Sequence, residues 1–451
     1  MVSKILLTLF TGSYTRGSVI MSVLFMIGLW RMFEKSGIKG WWALIPGARE
    51  YQLARCAGRE SEGPGYSMVI VASIAVSILS LITNAGGDIE ENGISALDIV
   101  LLSVALALTL MQFIYAIRIY AGLIDVYGVK KRWMWLWVLP TEFIPALIWG
   151  FSPKYQPRWK VEDFREAMAR LATQGSATVM DEGLTVNLTE RTVTEFFRRK
   201  VLLRDIHMSI PQGHMVLLLG GSGAGKTTYL NAINGYEPAK AEVLLNGTNM
   251  YTHYKKMQYE VGFVPQTEMM RGKDTVLNTL MDAAKLRLPK EVSPEQRKAR
   301  VHEVMEIFGL LPVKDNLVEK LSGGQKKRLS ISMEFISNPS LFILDEPDSG
   351  LDGVMARELF EQLRRIADTG KIVIVITHTP DRVIDLFDDV IVLAKDSART
   401  GRLAYYGPIK EAKKFFGRDS MEKIVKSVNR VEEGGDGLAD EFVMKYAKEA
   451  A

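Results

Sequence analysis

Residues 215–228 place an unbroken apolar run, a glycine-rich octapeptide and a helix-forming stretch end to end. That order restricts the chain to a small set of α/β architectures. Met215, Val216, Leu217, Leu218 and Leu219 include no polar member, as a strand covered on both faces requires. Gly220, Gly221, Ser222, Gly223, Ala224, Gly225, Lys226 and Thr227 then fit G-x-x-x-x-G-K-[ST], and Thr228 continues as a helix. Glycines are needed because backbone N–H groups must wrap around phosphate oxygens without Cβ atoms in the way. The helix N-terminus adds its dipole. Lys226 is expected to neutralise the β- and γ-phosphates, and the Thr227 hydroxyl to ligate Mg²⁺. From Leu184 onward, short apolar strands alternate with longer helical stretches, the pattern of an α/β domain.

Residues 341–346 read as a second part of the same site. Leu341, Phe342, Ile343 and Leu344 would bury a short strand, and Asp345 and Glu346 follow at its C-terminal end. Asp345 is expected to hold Mg²⁺ through water and Glu346 to polarise the attacking water. An apolar run ending in two acids is also how an ordinary strand ends in solvated carboxylates. The phosphate loop about 120 residues upstream is what gives the pair its meaning.

Hydrophobic residues make up 47% of the 451, unevenly spread. Residues 1–150 hold the long apolar runs, whereas residues 160–451 alternate apolar with charged. A bilayer-spanning helix needs about 20 mostly apolar residues. Residues 18–33, 66–83 and 99–117 come close; residues 133–150 have the length but contain Pro140, Glu142 and Pro145. Trp41, Trp42, Trp133, Trp135 and Trp137 fall near expected ends, where indole rings favour the membrane interface. The short apolar run after Lys4 leads to no A-x-A cleavage site, so the first segments are expected to be retained.

Loop charge sets the expected orientation. Lys35, Lys39, Arg49, Arg55 and Arg59 follow the first span; Asp88, Glu90 and Glu91 occupy residues 84–95, which contain no base. Arg118, Lys130, Lys131 and Arg132 come next. The basic loops are expected in the cytoplasm and the acidic one outside. Four full crossings would deliver residue 151 to the outside, away from ATP. Either residues 133–150 are re-entrant or interfacial, which the two prolines and Glu142 favour, or the charge rule fails at the first span. We adopt three crossings plus a re-entrant segment. Residues 158–172 then read as an amphipathic helix with Trp159, Val161, Phe164, Ala167 and Leu171 at helical spacing, lying on the membrane surface, acting as a linker or packing as an ordinary connector.

A net charge of +4, from 56 basic and 52 acidic residues, is too balanced to imply nucleic acid as a partner. Cys56, the single cysteine, excludes an intrachain disulfide and a Cys-based zinc site, and reads as an inert loop thiol.

Further motifs carry a resemblance. Leu321, Ser322, Gly323, Gly324 and Gln325 match the signature of ABC ATPases and lie about 20 residues before the acidic pair. Gln266, after Gly262-Phe-Val-Pro, resembles that family's Q-loop glutamine; Ser349-Gly-Leu-Asp352 resembles its D-loop; His378 sits where its switch histidine does. Phe197, 23 residues before Gly220 and next to Phe196, stands where the family places the ring that stacks on adenine. The resemblance covers residues 184–407. Residues 271–280, Glu334-Phe-Ile-Ser-Asn-Pro and 345–352 are similar to the G subfamily of lipid and drug half-transporters. This chain departs from that subfamily at Gln325 and Asp348, often Glu and Thr there, and carries its apolar segments before the ATPase. Residues 33–46 and 143–151 also resemble a small bacterial membrane module with no activity to carry over.

The resemblance implies a P-loop NTPase with a RecA-like core, an antiparallel β subdomain and a helical signature subdomain, behind an all-α membrane domain. The expected division is 1–153 membrane domain, 154–180 linker, 181–410 ATPase and 411–451 helical extension. It further implies ATP and Mg²⁺ as ligands, with Thr227, Gln266 and Asp345 at the metal. A head-to-tail dimer, of like or unlike chains, follows: Ser322, Gly323, Gly324, Gln325 and Asp352 of one domain close over ATP held by the other. Glu346, His378 and Gln266 are the catalytic set. Three function classes stay open: the ATPase subunit of a transporter with a separate permease in the cytoplasmic membrane, a transporter of two such chains, and a membrane-tethered ATPase acting mechanically on a partner.

Overall fold

The computed structural model describes residues 16–85, 96–138, 141–173, 177–195, 198–267 and 270–449. The chain divides into two compact units, residues 1–169 with 430–437, and residues 170–429 with 438–451.

The first unit is helical: α1 (Arg16–Lys35), α2 (Ala48–Cys56), α3 (Gly63–Ala85), α4 (Ala96–Tyr127), α5 (Met134–Val138) and α6 (Phe143–Phe151), with α7 (Val161–Thr173) after them. Among the described residues, two helical stretches, Glu60–Ser80 and Leu97–Tyr127, are long and apolar enough to cross a membrane. The burial pattern of α4 changes along its length: Leu97, Val100, Leu110 and Ile114 are exposed, whereas Ile119, Tyr120 and Leu123 are buried. The first expected span falls in α1. It buries Leu29, Met32 and Phe33, leaves Ile20, Val23 and Ile27 bare, and packs along α6. Residues 133–150 do not form one helix; α5 and α6 are separate and short. Lys35 fastens the end of α6 by donating to the carbonyls of Trp149 and Ser152, both at 2.7 Å. Cys56, expected on a loop, instead ends α2 fully buried, and burial pushes its thiol up to about 12. Acidic residues 86–95 lie outside the described residues. The amphipathic segment forms Val161–Thr173 with Val161, Ala167 and Leu171 buried.

The second unit is built on a ten-stranded sheet in the order β5-β4-β1-β2-β10-β9-β3-β8-β7-β6. In chain order these are β1 (Gly183–Glu195), β2 (Arg198–Pro211), β3 (Met215–Gly220), β4 (Lys240–Leu245), β5 (Thr248–Asn249), β6 (Val261–Val264), β7 (Leu341–Asp345), β8 (Ile372–Ile376), β9 (Asp389–Lys395) and β10 (Gly401–Pro408). β6, β7, β8, β3 and β9 pair in parallel; β1, β2, β4 and β5 form an antiparallel arm. The sequence explains the difference. β3 is apolar and buried from Met215 to Leu219, and β8 is apolar and buried throughout, as a sheet covered on both faces demands. Arm and core meet where β10 pairs with β2 at Gly401 and Leu203. There the buried Arg402 guanidinium joins Asp205 to Asp396, the latter at 3.1 Å.

Helices fill in around the sheet: α8 (Lys226–Ile233), α9 (Tyr254–Met257), α10 (Val276–Arg287), α11 (Pro294–Ile307), α12 (Gly323–Phe335), α13 (Gly353–Asp368), α14 (Ile409–Phe416), α15 (Met421–Val428) and α16 (Ala439–Glu449). Side chains cap several of their first turns. Ser293 and Ser322 form capping boxes with Gln296 and Gln325, and Pro294 stands at the first helical turn of α11. Asp352 accepts from the Val354 and Met355 backbone N–H groups at the start of α13.

Candidate functional site

β3 ends at Gly220, β7 at Asp345 and β8 at Ile376, all pointing the same way because they pair in parallel. Sites in such sheets form beyond the C-terminal ends of the strands. After β3, Gly225 takes φ 97°, a left-handed conformation that glycine adopts without strain, and turns the chain into α8. Lys226 opens that helix. Its ammonium donates to the carbonyls of Gly220 at 2.7 Å and Gly221 at 3.3 Å. Burial holds its pKa below the ordinary lysine value, with the carboxylates of Asp345 and Glu346 opposing. Burial and then the Glu346 charge push the Asp345 carboxyl up, against Lys226 and His378.

Glu346 is the most constrained residue of the group. Its φ of 53° is a conformation that non-glycine residues rarely hold and that concentrates at functional sites. Its backbone N–H donates to the Ile376 carbonyl at 3.0 Å, which ties the end of β7 to β8. Both carboxylate oxygens are engaged: Gln266 Nε2 donates to Oε2 at 2.6 Å, and His378 Nε2 lies 2.6 Å from Oε1. These two contacts aim the carboxylate into a cavity of about 510 Å³.

That cavity collects Gly220, Gly221, Ser222, Gly223, Lys226, Thr227, Gln266, Asp345, Glu346 and His378. Ala224, Gly225 and Thr228 belong to the loop and helix behind it. Ser322, Gly323, Gly324, Gln325 and Asp352 do not line it; Ser322 and Asp352 cap their own helices. Phe197 and its neighbour Phe196 lie outside the described residues.

Two residues beyond the expected set hold the site together. Asp348 accepts from the Thr377 hydroxyl at 2.6 Å and the Thr379 hydroxyl at 3.1 Å, bracketing His378. In sequence it stood out only as a departure where the resembling subfamily often has Thr. Lys327, buried in α12, donates to the Gln266 carbonyl at 3.3 Å. A lysine among other bases after the signature gave no sign of this.

The ABC transporter family matches residues 203–349. An ABC transporter ATP-binding/permease protein of Mycobacterium tuberculosis is 39% identical over 210 residues, 46% of this chain and 24% of that one. ABC transporter G family member 28 of Arabidopsis thaliana is 38% identical over 229 residues, 49% of this chain and 20% of that one. The chain thus spans a quarter or less of the length of these two relatives. Among solved structures, it is similar to an ATP binding subunit of an ABC transporter, with 22% identity and a TM-score of 0.46 over 56% of this chain and 99% of that one. The matched residues 203–349 hold the phosphate loop and much of the parallel core, and over this part the chain resembles the ATP-binding domain of ABC transporters, the G family among them.

Proposed function

We propose that this chain is the energising subunit of an ABC transporter in the cytoplasmic membrane, with a separate permease. Its ATPase domain (181–410) faces the cytoplasm behind a membrane domain (1–153) and a linker (154–180), and residues 411–451 extend it. The convergence of Lys226, Gln266, Asp345, Glu346 and His378 on one cavity carries the reading.

The residues suit the implied ligands. Lys226 holds its ammonium against two carbonyls, weak partners that a triphosphate outcompetes. Thr227, Gln266 and Asp345 offer hard oxygen donors of the kind Mg²⁺ takes, fewer than its six, so that water and phosphate oxygens complete the set. Mg²⁺ would neutralise charge on the transferred phosphate. Glu346, held by Gln266 and His378, accepts the proton of the attacking water. Ser322 to Gln325 and Asp352 stand away from their own cavity and serve the site of a second ATPase domain, of the same or another chain.

Two bare apolar helices in the other unit favour action at a membrane over the soluble roles of ABC ATPases. Purification of the full chain in mild detergent tests the reading. ATP hydrolysis with a co-purifying multi-helix permease supports it. Hydrolysis with a non-permease membrane protein instead would favour the mechanical alternative, and no hydrolysis would remove both.

A further inference from the structure

Gly221 poses a question that the phosphate loop does not answer. Its φ lies outside the left-handed range that Gly220, Gly223 and Gly225 occupy, so its backbone does not require glycine. Space requires it. A Cβ placed there would stand 1.9 Å from Asn429 Oδ1 and 2.7 Å from its Cγ. Asn429 ends α15, some two hundred positions away, and its Oδ1 is buried without a hydrogen-bond partner among the described residues. A buried amide is costly unless something satisfies it.

α15 is held over this loop from its other end as well. The backbone N–H groups of Met421 and Glu422 donate to the two carboxylate oxygens of Asp381, at 2.8 and 3.0 Å. Asp381 follows His378 by three residues. Glu422, Val425 and Asn429, one face of the helix at helical spacing, line the same cavity as Lys226 and Glu346. Amide oxygen and nitrogen exchange by a half-turn of the side chain, so Asn429 can present a donor at the spot its oxygen occupies.

We propose that α15 is a wall of the nucleotide site and that Asn429 donates its amide N–H to the triphosphate, with Gly221 kept bare to seat it. This rests on the ATP-binding reading of the cavity.

Binding of ATP–Mg²⁺ to the full chain in detergent, with thermal melting as a fold control, tests it. Asn429→Asp keeps the shape and places a negative charge at the phosphates, so ATP should bind roughly tenfold more weakly, about 1.4 kcal/mol, at an unchanged melting temperature. Gly221→Ala should weaken binding at least about fivefold in the wild-type background, and much less in an Asn429→Ala background where the clash is gone. A helix that packs there without facing the nucleotide would leave Asn429→Asp binding like the wild type. That result, or a Gly221→Ala loss equally large in both backgrounds, overturns the proposal while the ATP reading stands. Wild-type protein that binds no ATP overturns both.

Discussion

Glu346 and Asp345 are adjacent, yet the fold gives them opposite surroundings. Glu346 has both oxygens held by neighbours, Gln266 and His378, while Asp345 sits half-buried beside the Glu346 charge. Glu346→Gln keeps the shape and the binding groups but removes the base, so hydrolysis should fall by two or more orders of magnitude, on the order of 10²–10⁴-fold, while ATP stays bound. Turnover at the wild-type rate would show that another group takes the proton. Asp345 predicts a trade between stability and activity. Its folded-state pKa is raised, so at neutral pH its charge costs the nucleotide-free fold stability. The cost is absent below the ordinary carboxylate pKa of about 3.9 and grows as pH rises through the raised value. Asp345→Asn should therefore melt higher without nucleotide, by about 2–4 °C for each kcal/mol relieved, with hydrolysis lost. The gain should shrink toward pH 4. A lower melting temperature at pH 7 would mean that the carboxylate is stabilising after all.

At the scale of elements, the seam between arm and core is the vulnerable place. β10 and β2 share one register pair, and Arg402 lies buried between Asp205 and Asp396. Arg402→Ala would leave two buried carboxylates uncompensated and should cost roughly 3–5 kcal/mol in denaturant unfolding. A volume-matched Arg402→Met should fare no better, since the carboxylates stay. A loss under about 1 kcal/mol would show that water reaches the seam. The helices, by contrast, start on local signals. Ser293, Ser322 and Asp352 each precede their helix with a side-chain acceptor, and the periodic apolar face of α13 buries Leu359, Phe360 and Leu363 as its spacing predicts.

For the whole molecule, the proposed membrane role constrains which segments can cross. α4, 32 residues long, spans about 48 Å at 1.5 Å per residue, well beyond a hydrocarbon core of about 30 Å. Its burial begins near Ile119, so a crossing would use the part before it. α5 and α6 are 5 and 9 residues, each too short to cross alone. With the ATPase domain in the cytoplasm and the acidic loop outside, as proposed, residues 133–150 should therefore not cross. In a background with Cys56 replaced, single cysteines at Asn92 and Lys131 separate the possibilities. A membrane-impermeant thiol reagent should reach position 92 from outside and position 131 only after permeabilisation. Labelling of position 131 in intact cells would sink the three-crossing arrangement.

The sequence alone marked the groups that the structure brings to one cavity, because they stand at short, fixed spacings on rigid supports. A glycine loop must follow a buried strand and open a helix, and Lys226, Thr227, Asp345 and Glu346 could be read off for that reason. The tertiary structure decided what depends on distant segments meeting. Asp348 brackets His378 from 29–31 positions away, Lys327 reaches the Gln266 backbone across 61, and Asn429 fills the space over Gly221. Each involves a residue type that usually sits solvated on a surface, and no local pattern marks the exceptions. Cys56 makes the same point in the helical unit: a lone cysteine among charged neighbours gave no sign of burial until the packing of α2 supplied it.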